Sequence, residues 1–221
     1  MTVEEVKQLS REEIDQLFQF TERKLVRWYD LQIELVDHLA CRIEEEMAIN
    51  HSLTFEAALD KVYKEFGIFG FAKVVQEKES QIYKAGIRMW LRELRLQFSW
   101  PKAIVSAAIA MVLYQLTKWV EPWLLIRMFG VAYTIAHFGL VIFAAKITKK
   151  GSKLLLLQSG MGYVHLMSGI NFGSFIQFDE VSALKFVIIS QIAIMTLIAS
   201  YQVFLKVRNK AMDLYPGVFA A

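Results

Sequence analysis

Apolar residues follow two different patterns along this chain, and the change comes near residue 100. In the first hundred positions they recur every three or four residues among charged neighbours, the period of helices with one buried face; beyond it they run on almost unbroken in four stretches. Ser10-Arg11-Glu12-Glu13 reads as a capping box, with the Ser10 hydroxyl placed to accept an amide hydrogen bond and the Glu13 carboxylate placed to reach back. From Tyr29 to Met47, Leu31, Ile33, Leu35, Val36, Leu39, Ile43 and Met47 keep roughly helical spacing, with Glu34, Asp37, Arg42, Glu45 and Glu46 mostly opposite, which predicts a long amphipathic helix. Thr54 is the expected N-cap of a third, short helix that ends at Phe66, with Gly67 as its left-handed terminator. Ile68-Phe69-Gly70-Phe71 reads as a tight apolar corner, and a helical pattern resumes at about Ala72 and runs on toward the apolar half.

The four apolar stretches cover residues 103–120, 123–145, 154–176 and 183–205. Each is long enough to cross a hydrocarbon core, which takes about 20 residues of helix. The first is the shortest, with Gln115 and Lys118 near its outer end, where the lysine stem can reach the headgroups. Lipid offers no partner for backbone polar groups, so such spans are helices packed as a bundle. The expected fold class is therefore all-α. A cytoplasmic helical domain over residues 1–80 leads through an amphipathic, basic juxtamembrane helix over 81–102 into four transmembrane helices within 103–210, followed by a cytoplasmic tail over 211–221.

Charge orients this arrangement. The chain has 221 residues and a formal net charge of +3, but residues 1–100 hold 14 basic against 18 acidic residues, net −4, while the remainder holds 11 against 4, net +7. Basic residues are retained on the cytoplasmic side of a bilayer. Here Lys84, Arg88, Arg92, Arg95 and Lys102 precede the first stretch, Lys146, Lys149, Lys150 and Lys153 separate the second and third, and Lys206, Arg208 and Lys210 follow the fourth. The opposite connections carry Glu121 and the Asp179-Glu180 pair, and Trp119 and Trp123 mark the outer interface as Trp100 marks the inner one. The expected location is the bacterial inner membrane, multi-pass, with both termini cytoplasmic. The acidic start of the chain lacks the features of a secretory signal, in agreement with that orientation. The excess of cations belongs to helix ends and does not point to nucleic acid. A single cysteine, Cys41, allows neither an internal disulfide nor a thiolate cluster.

Small residues point to helix contacts. Gly169 and Gly173 form a GxxxG in the third stretch, and Ala103 with Ala107, and Ser106 with Ala110, are small pairs in the first; such faces serve packing within one chain or a homo-oligomer.

Candidate chemistry is sparse. Glu34 and His38 stand four apart on one helix face, a spacing that can hold a metal ion, and Asp37 with Cys41 gives a second pair one step round. One helix supplies two ligands where a metal needs three or more, and the competing reading is structural, with His38 tying its helix to the corner at 66–71. Lys84, Arg88, Arg92 and Arg95 form one basic stripe with Ile82, Trp90, Leu91 and Leu94 opposite, a helix suited to lie on anionic lipid headgroups, or else to pair with the acidic domain or a partner. Within the stretches His137, His165, Asn171 and Arg127 are the polar candidates, because ionisable groups in lipid are costly and usually face protein or water. Counted from the cytoplasmic ends, the two histidines differ in depth by about 4.5 Å. They can serve a bis-imidazole haem, a metal site or a proton relay, or simply hydrogen-bond between helices with Gln158, Asn171 or Gln191. Arg127, near the outer end of its stretch, can snorkel or pair with Asp179 or Glu180. No phosphate-binding loop, nucleophile elbow, zincin or dinucleotide motif occurs, so no catalytic residue, metal or cofactor is assigned.

The blocks Glu34-Leu35-Val36-Asp37-His38-Leu39 and Phe66-Gly67-Ile68-Phe69-Gly70-Phe71, with Tyr29-Asp30, Ile43-Glu44-Glu45 and Phe55-Glu56-Ala57-Ala58-Leu59, resemble a group of multi-pass membrane proteins from Bacteroidota. More distantly, residues 10–85 look like the HAAS-type helical signalling domains. This chain departs from the distant group in the bulky Phe and Tyr around its glycine corner. The resemblance implies a domain placed ahead of transmembrane helices, often encoded beside PadR-type transcription regulators, with a regulatory or adaptor role and no catalytic residues. The expected function is a non-enzymatic inner-membrane subunit, in signalling or assembly, that binds a protein partner through its cytoplasmic domain. The alternatives are a small transporter or channel component with His137, Arg127, Asn171 and His165 along a polar path, and a haem- or metal-binding redox protein.

Overall fold

The computed structural model describes residues 8–167 and 180–220. Every regular element among them is helical, and the chain divides into two compact units, Met1–Gln81 with Lys153–Leu155, and Ile82–Ser152 with Leu156–Ala221.

In the N-terminal unit α1 (Arg11–Arg23), α2 (Tyr29–Ile49), α3 (Phe55–Lys64) and the first turns of α4 (Ala72–Leu96) enclose one apolar core. The capping box is formed: the Ser10 hydroxyl accepts from the Glu13 amide at 3.3 Å and the Glu13 carboxylate accepts from the Ser10 amide at 2.7 Å. Thr54 caps α3 by accepting from the Ala57 amide at 3.3 Å. The buried stripe of α2 is Leu31, Leu35, Val36, Leu39, Ile43 and Met47, facing Leu17 of α1 and Phe55, Ala58 and Val62 of α3. Burying one such side chain fully contributes about 1.5–3 kcal/mol, so this stripe anchors the unit. The N-cap of α2, Trp28, makes no side-chain cap bond. Instead the Tyr29 amide donates to the Lys153 carbonyl at 2.8 Å, and the Asp30 carboxylate accepts from the Leu155 amide at 2.9 Å. Segment 153–155, remote in sequence, is thereby part of this unit.

The second unit departs from the expected four spans. Two helices among the described residues are long and apolar enough to cross a membrane: Pro122–Gly151, with mean hydropathy 1.8, and Ala183–Leu214, with mean hydropathy 1.9. The first of these comprises α6 (Pro122–Thr148) and a 3-10 turn at Lys149–Gly151. The expected span 103–120 is shorter than anticipated, because α5 (Lys102–Leu116) stops where the Thr117 hydroxyl turns back to the Tyr114 carbonyl, and Pro122 then opens the next helix. Its 15 residues reach about 22 Å, short of a core about 30 Å thick. Of the expected span 154–176, α7 covers Leu155–Met167, and residues 168–176 lie outside the described residues, as does the Gly169–Gly173 pair. The last helix, α8 (Ala183–Leu214), continues nine residues past the expected end at 205, because Val203 and Val207 pack on Met89 and Trp90 and Ala211 is buried in turn. The expected tail from 211 accordingly begins inside α8, and Pro216–Ala220 forms the short α9.

Packing in this unit centres on α8. Ile126 and Tyr133 of α6 cluster with Phe186, Val187 and Ala193, while Ala144 clusters with Phe204, so α6 and α8 run parallel. Helix α5 joins through Ala110 and Leu113, and its Ser106 is the hydrogen-bond acceptor of Gln191. Of the small pairs in α5, the Ser106/Ala110 face is therefore the packed one, and Ala107 is exposed.

Candidate functional site

The buried face of the second half of α4 is Gly86, Met89, Trp90 and Glu93, continued by Gln97 just beyond its end. Steps of three or four place all five on one side of a helix, and that side meets α8. The Trp90 indole N–H donates to the Ser200 hydroxyl at 3.1 Å, and the Lys206 ammonium donates to the Glu93 carboxylate. Glu93 is 4 % exposed, so this is an ion pair buried on its acidic side, while the Lys206 stem remains half-exposed. Breaking such a pair from one side leaves an uncompensated charge, which is why buried pairs mark an arrangement that must form. Sequence reasoning missed Glu93. The signal was present, since it is the sole acidic residue between Glu79 and Glu121, set in a basic helix.

A few residues on, the α5–α8 contact encloses a cavity of about 210 Å³ lined by Gln97, Lys102, Val105, Ser106, Ile109, Gln191, Ile194, Met195 and Ile198. Gln191 enters it from α8 and donates its amide to the Ser106 hydroxyl. Gln97 enters from the α4–α5 corner and is 8 % exposed. The Gln97 amide nitrogen and the Gln191 amide oxygen are both buried without a hydrogen-bond partner. Each such group costs about 1–3 kcal/mol when left unsatisfied, so this cavity combines one free donor, one free acceptor and an ammonium, Lys102, with five apolar side chains.

The residues singled out from sequence fall in several places. Lys84, Arg88, Arg92 and Arg95 are all exposed on α4, opposite its packed face, and Leu91 is exposed beside them while Trp90 packs inward. Arg127 lies half-buried on α6 with its guanidinium 5.2 Å from the Trp123 ring centre, a cation–π contact. His137 lies on the packed seam of α6, four residues after Tyr133, and its ring stacks on that tyrosine at 6.5 Å with 5° between planes. His165 lies within α7, and Asn171 lies outside the described residues.

In the N-terminal unit the Lys78 ammonium donates to Glu34, while Asp37 and His38 are exposed. His38 does not reach the corner at 66–71, which is held by aromatic packing instead: Phe71 lies 4.9 Å from Phe66 and 5.2 Å from Tyr63, ring to ring, and Tyr63 in turn 5.0 Å from Phe20. Among the described residues no three His, Cys, Asp or Glu side chains converge as a metal site, at Glu34 and His38 or elsewhere. Arg42 bridges Glu45 and Glu65 at 2.6 and 3.3 Å, and the hydrogen bonds to Glu45 and then Glu65 raise its pKa further above the usual arginine value.

The corner itself has an unexpected face. Gly67 and Gly70 take positive φ, +70° and +49°, and the turn between them leaves Ile68 wholly exposed and Phe69 77 % exposed, while Phe71 is buried in the core. Comparison of the chain with protein-family models, with curated proteins and with solved structures found no match.

Proposed function

We propose that this chain is a non-enzymatic, multi-pass inner-membrane protein that binds a partner protein through its N-terminal helical unit, as a regulatory or assembly subunit of the kind the HAAS-like resemblance implies. The distribution of exposed apolar side chains carries this reading. Only 17 % of the apolar window of α6 is buried against other residues, and Val131, Ile135, Phe138 and Ile142 project from it; Ile104, Val105 and Val112 do so from α5, and Ile188 and Ile192 from α8. Exposed side chains of this size, repeated along three helices, suit lipid. On the N-terminal unit Leu25 and Ile49 are exposed singly, while Ile68 and Phe69 stand exposed side by side, a two-residue tip of the kind that a protein partner covers.

The course of the helices favours more crossings than the two long helices alone provide. Parallel α6 and α8 have their C-terminal ends on the same side, and the basic residues near those ends and near the start of α5 support a cytoplasmic side for all three. The exposed stripe Lys84, Arg88, Arg92 and Arg95 is suited to anionic headgroups on that side, at about 1 kcal/mol per cation.

The reading is tested in two steps. Alkaline carbonate washing of native membranes should leave the chain in the pellet; release into the supernatant rejects membrane insertion. Mass spectrometry of proteins co-purifying after mild solubilisation should then find a stoichiometric partner with the full chain that is lost in the Ile68→Ser/Phe69→Ser double variant. Identical partners in both samples, or none in either, reject the partner-binding role. A reporter fused after Ala221 should behave as cytoplasmic.

A further inference from the structure

We infer that the α5–α8 cavity is a binding site for the head group of an anionic phospholipid that also carries a head-group hydroxyl, as phosphatidylglycerol does. The inference rests on the membrane reading above and concerns the lining of one cavity. Gln97 is more than nine-tenths buried, and its amide nitrogen has N–H groups without an acceptor; they are donors toward an oxyanion. Lys102, exposed at the first turn of α5 and without a carboxylate partner among the described residues, adds an ammonium at the same cavity. A cation beside an amide donor recognises a phosphate diester. The Gln191 amide oxygen asks for the reverse, a donor, because its own nitrogen is engaged with Ser106; a head-group hydroxyl supplies it.

The remaining walls define the rest of the ligand. Val105, Ile109, Ile194, Met195 and Ile198 line the cavity, and Val105 and Ile198 are exposed, so its apolar side opens where the lipid-facing surfaces of α5 and α8 meet. At about 210 Å³ the cavity is smaller than the usual 300–1,000 Å³ of a pocket that encloses a whole drug-sized ligand. It takes a head group and the first methylenes, leaving the chains along α5 and α8. Ordered water satisfies the two amides equally well but uses neither Lys102 nor the apolar walls. Lys102 is expected at the cytoplasmic leaflet, where anionic lipid attracts juxtamembrane cations.

The test uses the full chain in a neutral detergent, titrated with phosphatidylglycerol, phosphatidylcholine and glycerol 1-phosphate, with bound species counted by native mass spectrometry. Phosphatidylglycerol should bind at least tenfold more tightly than phosphatidylcholine. Lys102→Ala, at an exposed position, should weaken it about tenfold, and more than Arg88→Ala, which lowers the charge of the nearby basic stripe equally. Gln97→Leu should weaken it by a similar factor while leaving lipid-free thermal stability unchanged or raised, since it removes a buried unsatisfied amide. No preference between the lipids, or equal losses in Lys102→Ala and Arg88→Ala, overturns the site and leaves general surface attraction. Glycerol 1-phosphate bound as tightly as the lipid overturns the lipid identity in favour of a soluble phosphate ester. Release of the chain by carbonate fails the membrane reading itself, whereas retention in membranes without lipid selectivity fails only the site.

Discussion

Substituting Lys206 by Met tests whether α4 and α8 are locked by the buried pair. Glu93 is 4 % exposed and receives the Lys206 ammonium, so the substitution leaves a buried carboxylate without its counter-charge. Removing one member of a fully buried pair costs about 3–5 kcal/mol. Lys206 is 55 % exposed in its side chain, which means that solvent already screens one side of the pair, and a loss of about 2 kcal/mol is the appropriate expectation. At about 2–4 °C per kcal/mol for a chain of this length, the melting temperature of the solubilised protein should fall by about 4–8 °C. The reverse deletion is milder. Glu93→Leu removes the buried charge and frees Lys206 to reach water, so it should cost less than Lys206→Met, and the double variant should recover most of the loss. Thermal unfolding followed by tryptophan fluorescence supplies the readout, with Trp90 in the same interface through its bond to Ser200. A double variant no more stable than Lys206→Met, or additivity of the two single losses within about 0.5 kcal/mol, would refute the coupling.

Three further outcomes follow from the N-terminal unit and from α6. Gly70→Ala should destabilise by about 2–4 kcal/mol and Gly67→Ala by only about 1–2 in chemical denaturation, because an L side chain is strained at either positive φ but a Cβ at Gly70 would also collide with the Tyr63 hydroxyl, whereas at Gly67 it meets open space; equal losses would remove the role given to the Tyr63 contact. Asp30→Ala removes the acceptor of the Leu155 amide, a charged hydrogen bond worth about 1.5–3 kcal/mol, so exchange of that amide should quicken about tenfold or more by hydrogen-exchange mass spectrometry, with unchanged exchange contradicting the contact. In a background carrying Cys41→Ser, single cysteines at Ile135 and Ile142 should resist a water-soluble maleimide in intact membranes while one at Ile68 reacts; rapid labelling at Ile135 would place that face of α6 in water.

Local signals carried the N-terminal unit well. The capping box at Ser10, the Thr54 cap, the buried stripe of α2 and the terminator Gly67 each depend on neighbours within a few residues, where spacing and side-chain chemistry suffice. What depended on distant contacts was less legible. The Phe66–Phe71 block reads as uniformly apolar, but two positive-φ glycines turn Ile68 and Phe69 outward and Phe71 inward, a choice that hydrophobicity alone does not encode. His38 looked like a tie to that corner because of its place on α2, yet aromatic contacts hold the corner without it. In the apolar half, hydropathy located the helices but not their ends: α5 closes four residues early at a Ser/Thr-type backbone bond, and α8 runs on because its partner is α4, an element assigned by composition to the lipid surface.

That last contact changes how the apolar half is built. In lipid, apolar side chains give helices little reason to associate, so contact faces draw on small residues and on hydrogen bonds between helices. The buried side of α8 has this composition, with Ser190, Ala193, Thr196, Ala199 and Ser200 three apart or adjacent along it and Ala211 further on. Each neighbour answers with a polar group of its own: Ser106 from α5, Trp90 and Glu93 from α4, and Tyr133 from α6, which shares a hydrogen bond with Thr196. The exposed side of α8 carries Leu184, Ile188, Ile192 and Ile198, which suits lipid and supplies no partner specificity. Helix α8 is therefore the hub of the second unit, and the polar contacts select which helices gather on it. Three of these partners lie on α4 and α5, which meet at Gln97 and Lys102, so the site inferred there stands where the hub's polar seam reaches the exposed apolar face.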